Sequence, residues 1–138
     1  MANPIQRLSI EGAVGAETGS DVETLGHTTY GLFAIVDGDE TGVEIRLEGS
    51  PDREHWAVLD NPVGDPAQLE AEDFDECPDT GTQTAIIGHQ VRSAYIRHIR
   101  ARVVTGPTDG TVDVYTIAGG WSGRGERPTQ RKGPASDL

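Results

Sequence analysis

The chain has 138 residues, with 23 acidic against 11 basic side chains, a formal net charge of −12 and a pI near 4.5. This length fits one domain with its own hydrophobic core. No run of about 18 apolar residues occurs, so we expect no membrane span, and residues 1–10 lack the pattern of a signal peptide. The negative charge argues against nucleic-acid binding, and the single cysteine, Cys77, excludes a disulfide framework.

The basic residues are almost all arginine, since Lys132 is the single lysine. An acidic excess with scarce lysine resembles the composition of proteins from extreme halophiles, whose carboxylate-rich surfaces stay hydrated in molar salt. At such salt the Debye length is about 3 Å, so repulsion between surface carboxylates is screened. We therefore expect most of the acidic residues to be surface groups rather than catalytic ones.

The first strong strand pattern is residues 28–36 (TTYGLFAIV), which end at a turn-forming segment, 37–42 (DGDETG). Closely spaced oxygen ligands on a glycine-containing turn suit Ca²⁺, so Asp37 and Asp39 are candidate metal ligands. The segment lacks the spacing of the helix-loop-helix calcium motif, and an acidic turn is also expected in any halophile-like protein. A structural calcium ion and a plain turn are therefore both open.

Residues 43–60 predict a β-hairpin. Apolar and charged residues alternate over 43–48, the pattern of a half-buried strand. A turn at 50–53 follows, in which the Ser50 hydroxyl and the Asp52 carboxylate can bond the local backbone. Trp56 then begins a short returning strand, and we expect it to lie in the core.

The middle of the chain, residues 61–81, contains three prolines and an acidic run and predicts a long loop. Leu69 and Phe74 are expected to hold this loop against the body. Only 66–76 offers any helical pattern, and its apolar residues do not sustain a period of 3.6 residues.

Strand patterns return at 82–87, at 91–104 and at 111–117. In the second of these, arginines occur on both predicted faces, which indicates a bulge or an edge position. The succession of about seven or eight short strands predicts an all-β fold, an antiparallel β-sandwich of jelly-roll-like type. Residues 1–120 form its body, and we expect an extended C-terminal arm at 121–138.

Enzyme motifs are missing from the sequence. The four histidines stand singly, Cys77 has no second cysteine nearby, and no GxSxG, Walker-type or dinucleotide-binding glycine pattern occurs. We therefore expect no catalytic residues and, apart from the calcium alternative, no cofactor.

The segment 43–59, VEIRLEGSPDREHWAVL, resembles one found in small β-sandwich structural proteins of tailed viruses and prophages. It matches their pattern of an apolar strand, EGS-x-D, a tryptophan and a second apolar strand, and the later segments at 95–97 and 111–117 extend the likeness. Arg53 and Glu54 depart from the glycine and small polar residue that are common there. The resemblance implies a virion structural protein, in which Ser50, Asp52 and Trp56 build the hairpin.

The arm differs in charge from the body. Residues 1–120 hold seven cations and 21 acids, or −14, whereas residues 121–138 hold four cations and two acids, or +2. A segment so rich in Gly, Pro and Arg cannot form a core of its own. It is either a free terminus or, as we favour, an arm that docks on an acidic neighbour through Trp121, Arg124, Arg127, Arg131 and Lys132.

The sequence thus predicts a non-enzymatic virion protein of a tailed virus that infects a halophile. We expect a capsid decoration or turret component that forms a symmetric oligomer and contacts the major capsid protein or neighbouring copies, without nucleic acid or membrane. The alternative is a tail, baseplate or adsorption component that binds carbohydrate.

Overall fold

Eleven strands form two antiparallel sheets in the part of the chain that the structure, a computed structural model, describes: residues 4–61, 63–90 and 96–121. In chain order they are β1 (Ile5–Ala13), β2 (Glu17–Thr18), β3 (Val22–Glu23), β4 (His27–Asp39), β5 (Glu44–Ser50), β6 (Ala57–Val58), β7 (Gln68–Glu70), β8 (Asp75–Cys77), β9 (Thr82–Gln90), β10 (His98–Thr105) and β11 (Asp109–Trp121). A single 3-10 turn, Ala71–Asp73, lies between β7 and β8. The predicted all-β antiparallel sandwich is confirmed, with more and shorter strands than the seven or eight expected.

The first sheet has five strands in the order β1-β11-β4-β9-β8. Its centre is the long pair β4 and β11, which runs from the Asp39–Asp109 pair to the His27–Trp121 pair. Near the first end, Gly38 faces Gly110, both with positive φ. A Cβ on Gly110 would overlap the carbonyl oxygen of Asp37, so glycine is required where the two backbones approach.

The second sheet has six strands, with β10 and β5 at its centre. The short strands β2 and β3 pair with the free side of β10, and β6 and β7 pair with the free side of β5. The chain passes from one sheet to the other several times, as expected for a jelly-roll-like sandwich.

The core lies between the sheets and is built by alternation along the long strands. Most of the inward-facing residues of the central strands are apolar and buried: Tyr30, Leu32, Ala34 and Val36 of β4, Ile45 and Leu47 of β5, Ile99, Ala101 and Val103 of β10, and Val112, Val114 and Ala118 of β11. Thr116 of β11 is buried and polar. The period-two patterns at 43–48 and 111–117 therefore predicted the inward-facing residues correctly, whereas at 91–104 the sequence did not show which face is buried.

The predicted loop at 61–81 is partly wrong. Leu69 and Phe74 are buried as expected, but Leu69 lies in β7, which pairs with β5, and Phe74 precedes β8, which pairs with β9. Both strands are three residues long. Strands this short form because a neighbouring strand pairs with them, and they are too short to show the period-two alternation of apolar and polar residues.

Other boundaries also differ from the predictions: β9 continues to Gln90 rather than ending at 87, and β11 spans Asp109–Trp121 rather than 111–117. β4 continues to Asp39, so the turn is shorter than 37–42. β10 begins at His98 and is a central strand, not an edge, although its pairing with β5 shifts register between Val103 and Thr105, as the bulge alternative predicted.

Candidate functional site

The outer faces of the two sheets differ in chemistry, and together they offer the candidate functional surfaces. We call the outer side of the six-stranded sheet the charged face, defined by Arg46, Glu48, Arg100 and Arg102. We call the outer side of the five-stranded sheet the apolar face, defined by Leu8, Phe33, Ile86 and Tyr115.

The charged face is organised around Glu48. This carboxylate is only 4% exposed although it points away from the core. Arg100, directly opposite on β10, donates from Nε to Glu48 Oε1 at 2.8 Å, and Arg102 Nη1 lies 3.5 Å from Oε2. Two arginines therefore share and cover one carboxylate, which satisfies a charge that would otherwise be costly to bury.

Most cations of the body lie on or beside this face. Of the six arginines in the described part of residues 1–120, five have a carboxylate within 4 Å: the pairs are Arg46–Glu44, Arg53–Asp21, Arg97–Glu23, Arg100–Glu48 and Arg102–Glu48. Arg46 also donates to the Gln68 side chain. The charged face thus satisfies its arginines within the chain.

The loop between β5 and β6 is closed by Ser50 and Asp52. Ser50 Oγ accepts hydrogen bonds from the backbone N–H of Asp52 and Arg53, at 3.2 and 2.8 Å. Asp52 Oδ1 accepts from the backbone N–H of His55 and Glu54, both at 2.9 Å, and Oδ2 lies 2.6 Å from His55 Nδ1. These donors, the His55 backbone N–H first, hold the pKa of Asp52 far below its usual value.

Arg53 takes a positive φ of 67° in this loop. Glycine is the residue that adopts this backbone conformation most readily. The conformation is unfavourable for a residue with a Cβ. An ion pair with Asp21, 2.8 Å from Arg53 Nε, offsets part of that cost.

Trp56 is half-buried, contrary to the prediction that it lies in the core. The guanidinium carbon of Arg100 lies 4.1 Å from the centroid of its ring, which gives a cation–π contact on the outer side of the sheet. Trp56 and Arg100 line an open hollow of about 400 Å³, together with three carboxylate residues, Asp21, Asp52 and Glu54. The tryptophan therefore belongs to a surface hollow.

The apolar face carries a continuous row of large side chains across four strands. Leu8 pairs with Tyr115, Tyr115 with Phe33, and Phe33 with Ile86. Directly paired residues place their side chains on the same side of a sheet. Ile86 is 67% exposed and Leu8 is 38% exposed, so the row lies open at both ends.

A groove lies beside this row. The next row of outward-facing residues, on the side away from the β4–β11 turn end, contains Ile117 paired with Gly31 and Gly31 paired with Gly88. We call it the glycine row. Gly31, Gly88 and Gly119 line a groove of about 200 Å³ whose other walls include Ile86 and Ile117. An exposed ridge and an apolar groove are therefore adjacent on one face.

Toward one end of the apolar face the described rows of paired residues become acidic. The next row toward the tip of β4 and β11 consists of Asp113, Ile35, Thr84 and Asp75. Asp37, Asp39 and Asp109 lie at the tip itself. Neither the row from Leu8 to Ile86 nor the glycine row contains a charged residue, although residues 1–120 carry a charge of −14.

The candidate calcium ligands lie at this tip. Asp39 Oδ1 accepts from the Thr41 hydroxyl at 2.6 Å and from the Thr41 backbone N–H at 3.0 Å, and these bonds lower the pKa of Asp39. Asp37 belongs to β4 and pairs with Thr111. Among the described residues no group of three or more His, Cys, Asp or Glu side chains could hold a metal ion. The geometry gives Asp39 a role in closing the turn, and calcium binding stays a prediction.

The predicted arm lies almost wholly outside the described residues. The backbone of Trp121 ends β11 opposite His27, so the first arm residue continues a strand of the body. Arg124, Arg127, Arg131 and Lys132 fall outside the described part of the chain, and the docking prediction for them stays open.

The apolar face was not predicted from the sequence. The run GLFAIV at 31–36 is apolar at consecutive positions, which indicates a strand with apolar residues on both sides. That signal identified a strand without showing that Phe33 faces outward. Leu8 and Ile86 join the row only through pairing across four strands, which the sequence does not reveal.

Comparison with known proteins gives a likeness of fold. No family model matches the sequence, and no curated protein sequence matches it significantly. Among solved structures, the fold is similar to that of the SPBc2 prophage-derived protein YomS, with a TM-score of 0.55 at 14% identity. The match covers 84% of this chain and 92% of that one.

No helical segment within the described ranges has the length and hydropathy needed to cross a membrane.

Proposed function

We propose that the protein is a non-enzymatic structural component of a tailed-virus particle that assembles with copies of itself and with other particle proteins. The observation that carries this proposal is the apolar face. Large apolar side chains lie exposed on an otherwise acidic body, and such patches on small proteins mark interaction surfaces. The fold that the chain shares with a prophage-derived protein supports the viral setting.

Within that role we favour a position on the capsid surface, as a decoration or turret component in the virion of a virus that infects a halophile. The acidic, lysine-poor composition suits molar salt, in which the carboxylates stay hydrated and their repulsion is screened. The contacts are then made by the apolar face and by the basic arm, which pairs with carboxylates of the major capsid protein or of neighbouring copies.

The experiment that tests this proposal is a count of the copies of this protein in purified particles of the virus that encodes it. Quantitative mass spectrometry against the major capsid protein should find the chain in the particles. Hundreds of copies place it on the capsid surface, and a few tens or fewer place it at a vertex or in the tail. Its absence from particles that contain all other structural proteins would contradict the proposal.

The arm is tested by two variants of the recombinant protein added to particles that lack it. Deletion of residues 122–138 leaves β11 complete and should abolish binding to the particles. Replacement of Arg124, Arg127, Arg131 and Lys132 by Gln in the full-length chain keeps the length and removes the charge. It should weaken binding to a similar degree, whereas unchanged binding of both variants would contradict the docking role.

A second candidate function is carbohydrate binding by an adsorption component. The hollow at Trp56 favours it, because an aromatic ring beside Asp21, Asp52 and Glu54 offers both stacking and hydrogen-bond acceptors. A glycan array in molar KCl should then give ligands that bind the wild type and not Trp56→Ala. Binding to no glycan would count against this candidate and leave the structural role untouched.

A further inference from the structure

We propose that the apolar face is the interface between two copies of this chain. The copies pack face to face about a two-fold axis, with the row from Leu8 to Ile86 of each copy over the glycine row of the other. The inference rests on the proposed function as an assembling structural protein, and it names the surface and the arrangement through which the copies meet.

The shape of the apolar face is complementary to the same face of a second copy. The ridge from Leu8 to Ile86 and the groove at Gly31 and Gly88 run parallel, one strand repeat or about 7 Å apart. A two-fold axis that runs between them, across the strands, places the ridge of one copy over the groove of the other. Phe33 then faces the partner's Gly31, and Ile86 faces the partner's Gly88.

Charge favours a second copy and fixes its orientation. Two chains with a formal charge of −12 each repel wherever their acidic surfaces meet, whereas the two apolar rows carry no charge. A two-fold axis perpendicular to the strands also places the two acidic tips, with Asp37, Asp39 and Asp109, at opposite ends of the dimer. The alternative axis, along the strands, would bring these carboxylates together.

The other outer face does not offer such a contact. Its arginines are already paired within the chain, and Glu48 is covered by Arg100 and Arg102. A partner that docked there would have to compete with these ion pairs. Among the described surfaces, the apolar face therefore gains most from being covered by a second copy.

The contact is small. Four strands at about 4.8 Å spacing and two rows of side chains about 7 Å apart cover roughly 270 Å² on each copy, below the usual size of a stable dimer interface. We therefore expect a weak dimer in solution, strengthened by molar salt. On a particle, many copies held close together would raise the effective concentration.

Sedimentation of the full-length protein in molar KCl, from about 10 μM to 1 mM, tests the interface. The weight-average mass should rise with concentration from the 14.7 kDa of the monomer toward twice that value. Ile86→Asp should raise the dissociation constant at least about tenfold, since each copy loses an apolar contact and gains a charge at the interface. Val63→Asp is the matched control, because Val63 is 81% exposed and lies in a loop away from this face, and it should leave dimerisation unchanged.

A second variant fills the groove without disturbing the fold. A Cβ on Gly88 would meet only the Tyr30 carbonyl oxygen, at 3.8 Å, so Gly88→Leu should fold normally and block the partner's Ile86. Gly15→Leu, at another position with open space, is its control. Circular dichroism of all four variants checks that each is folded.

Three results would overturn the inference. The first is a monomer at every concentration, which is also expected if the chain's own C-terminal segment covers the face. The second is unchanged dimerisation of folded Ile86→Asp and Gly88→Leu, and the third is equal weakening of dimerisation by the control substitutions. These results are independent of the particle experiment. A monomeric protein found in particles would keep the structural role and remove this interface, whereas a dimer absent from particles would do the reverse.

Discussion

The charged face and the apolar face lie on opposite sides of one sandwich and differ in how their side chains are satisfied. On the charged face, Glu48 is buried beneath Arg100 and Arg102, and Arg100 also covers Trp56. On the apolar face, Ile86 and Leu8 remain exposed to solvent. The charged side chains of the first face find their partners within one chain, whereas the apolar side chains of the second would be buried by a partner.

Because of this difference, substitutions on the two faces should affect different properties: the stability of the folded chain on one face and the association of copies on the other. Substitutions on the charged face remove contacts that exist in a single folded chain, so they should change the free energy of unfolding. Substitutions at the exposed positions of the apolar face should mainly change association. Four substitutions at Glu48, Trp56, Arg53 and Asp52 test whether the charged face is stabilised by contacts within one chain.

Glu48→Ala should have the largest effect. It leaves Arg100 and Arg102 without their shared carboxylate, and removal of one partner from a buried pair costs about 3–5 kcal/mol; because both arginines are partly exposed, we expect about 2–3 kcal/mol. Urea unfolding in molar KCl measures it. Glu44→Ala, which breaks the more exposed pair with Arg46, is the control and should cost less than about 1 kcal/mol. Equal losses in the two variants would mean that Glu48 is not the centre of this face.

Trp56→Ala should cost about 1–2 kcal/mol, because the ring is half-buried and carries the Arg100 guanidinium. A tryptophan in the core would cost about 3–5 kcal/mol on the same substitution. Chemical unfolding distinguishes the two ranges, and a loss in the higher range would restore the core position that the sequence suggested.

Arg53→Gly should be more stable than Arg53→Ala by about 1 kcal/mol. Both variants lose the ion pair with Asp21, but only glycine adopts the positive φ of 67° without strain. Comparing the two variants by thermal unfolding isolates the backbone effect from the ion pair. Equal stability would show that residue 53 does not adopt the left-handed conformation.

Asp52 should make stability depend on pH. Its pKa is lowered in the folded chain, so its contribution is present above about pH 4 and is lost as the pH falls through the folded value. Asp52→Asn keeps a side-chain oxygen for the backbone N–H groups but cannot titrate. The stability difference between wild type and Asp52→Asn should therefore shrink on acidification from pH 6 to about pH 3. A difference that is constant over this range would contradict the hydrogen-bonded carboxylate.

The sequence predicted those parts of the fold that local periodicity determines. Ile45 and Leu47, or Val112 and Val114, alternate with polar residues because each strand buries one side, and this alternation can be recognised without a partner. β7 and β8 could not be predicted in this way, since each is three residues long and depends on pairing with β5 or β9.

The candidate sites depend on contacts between residues that are distant in the chain. Trp56 was expected inside because it follows a turn and is large, and only the position of Arg100 shows that it lies on the surface. The local hydrogen bonds of Ser50 and Asp52 could be anticipated because they span two or three residues. The apolar row could not, because it requires the register of four strands at once.

In the proposed dimer, two copies meet through the apolar face, with the ridge of each copy over the glycine row of the other. Isotope-filtered NOE spectroscopy on an equal mixture of ¹³C-labelled and unlabelled protein in molar KCl tests this arrangement most directly, since only contacts between copies give signals. We predict cross-peaks from the Phe33 ring to the partner's Gly31 and from the Ile86 methyl groups to the partner's Gly88. Intermolecular cross-peaks confined to Trp56 and the charged face, or none at a concentration where the protein is dimeric, would contradict the claim.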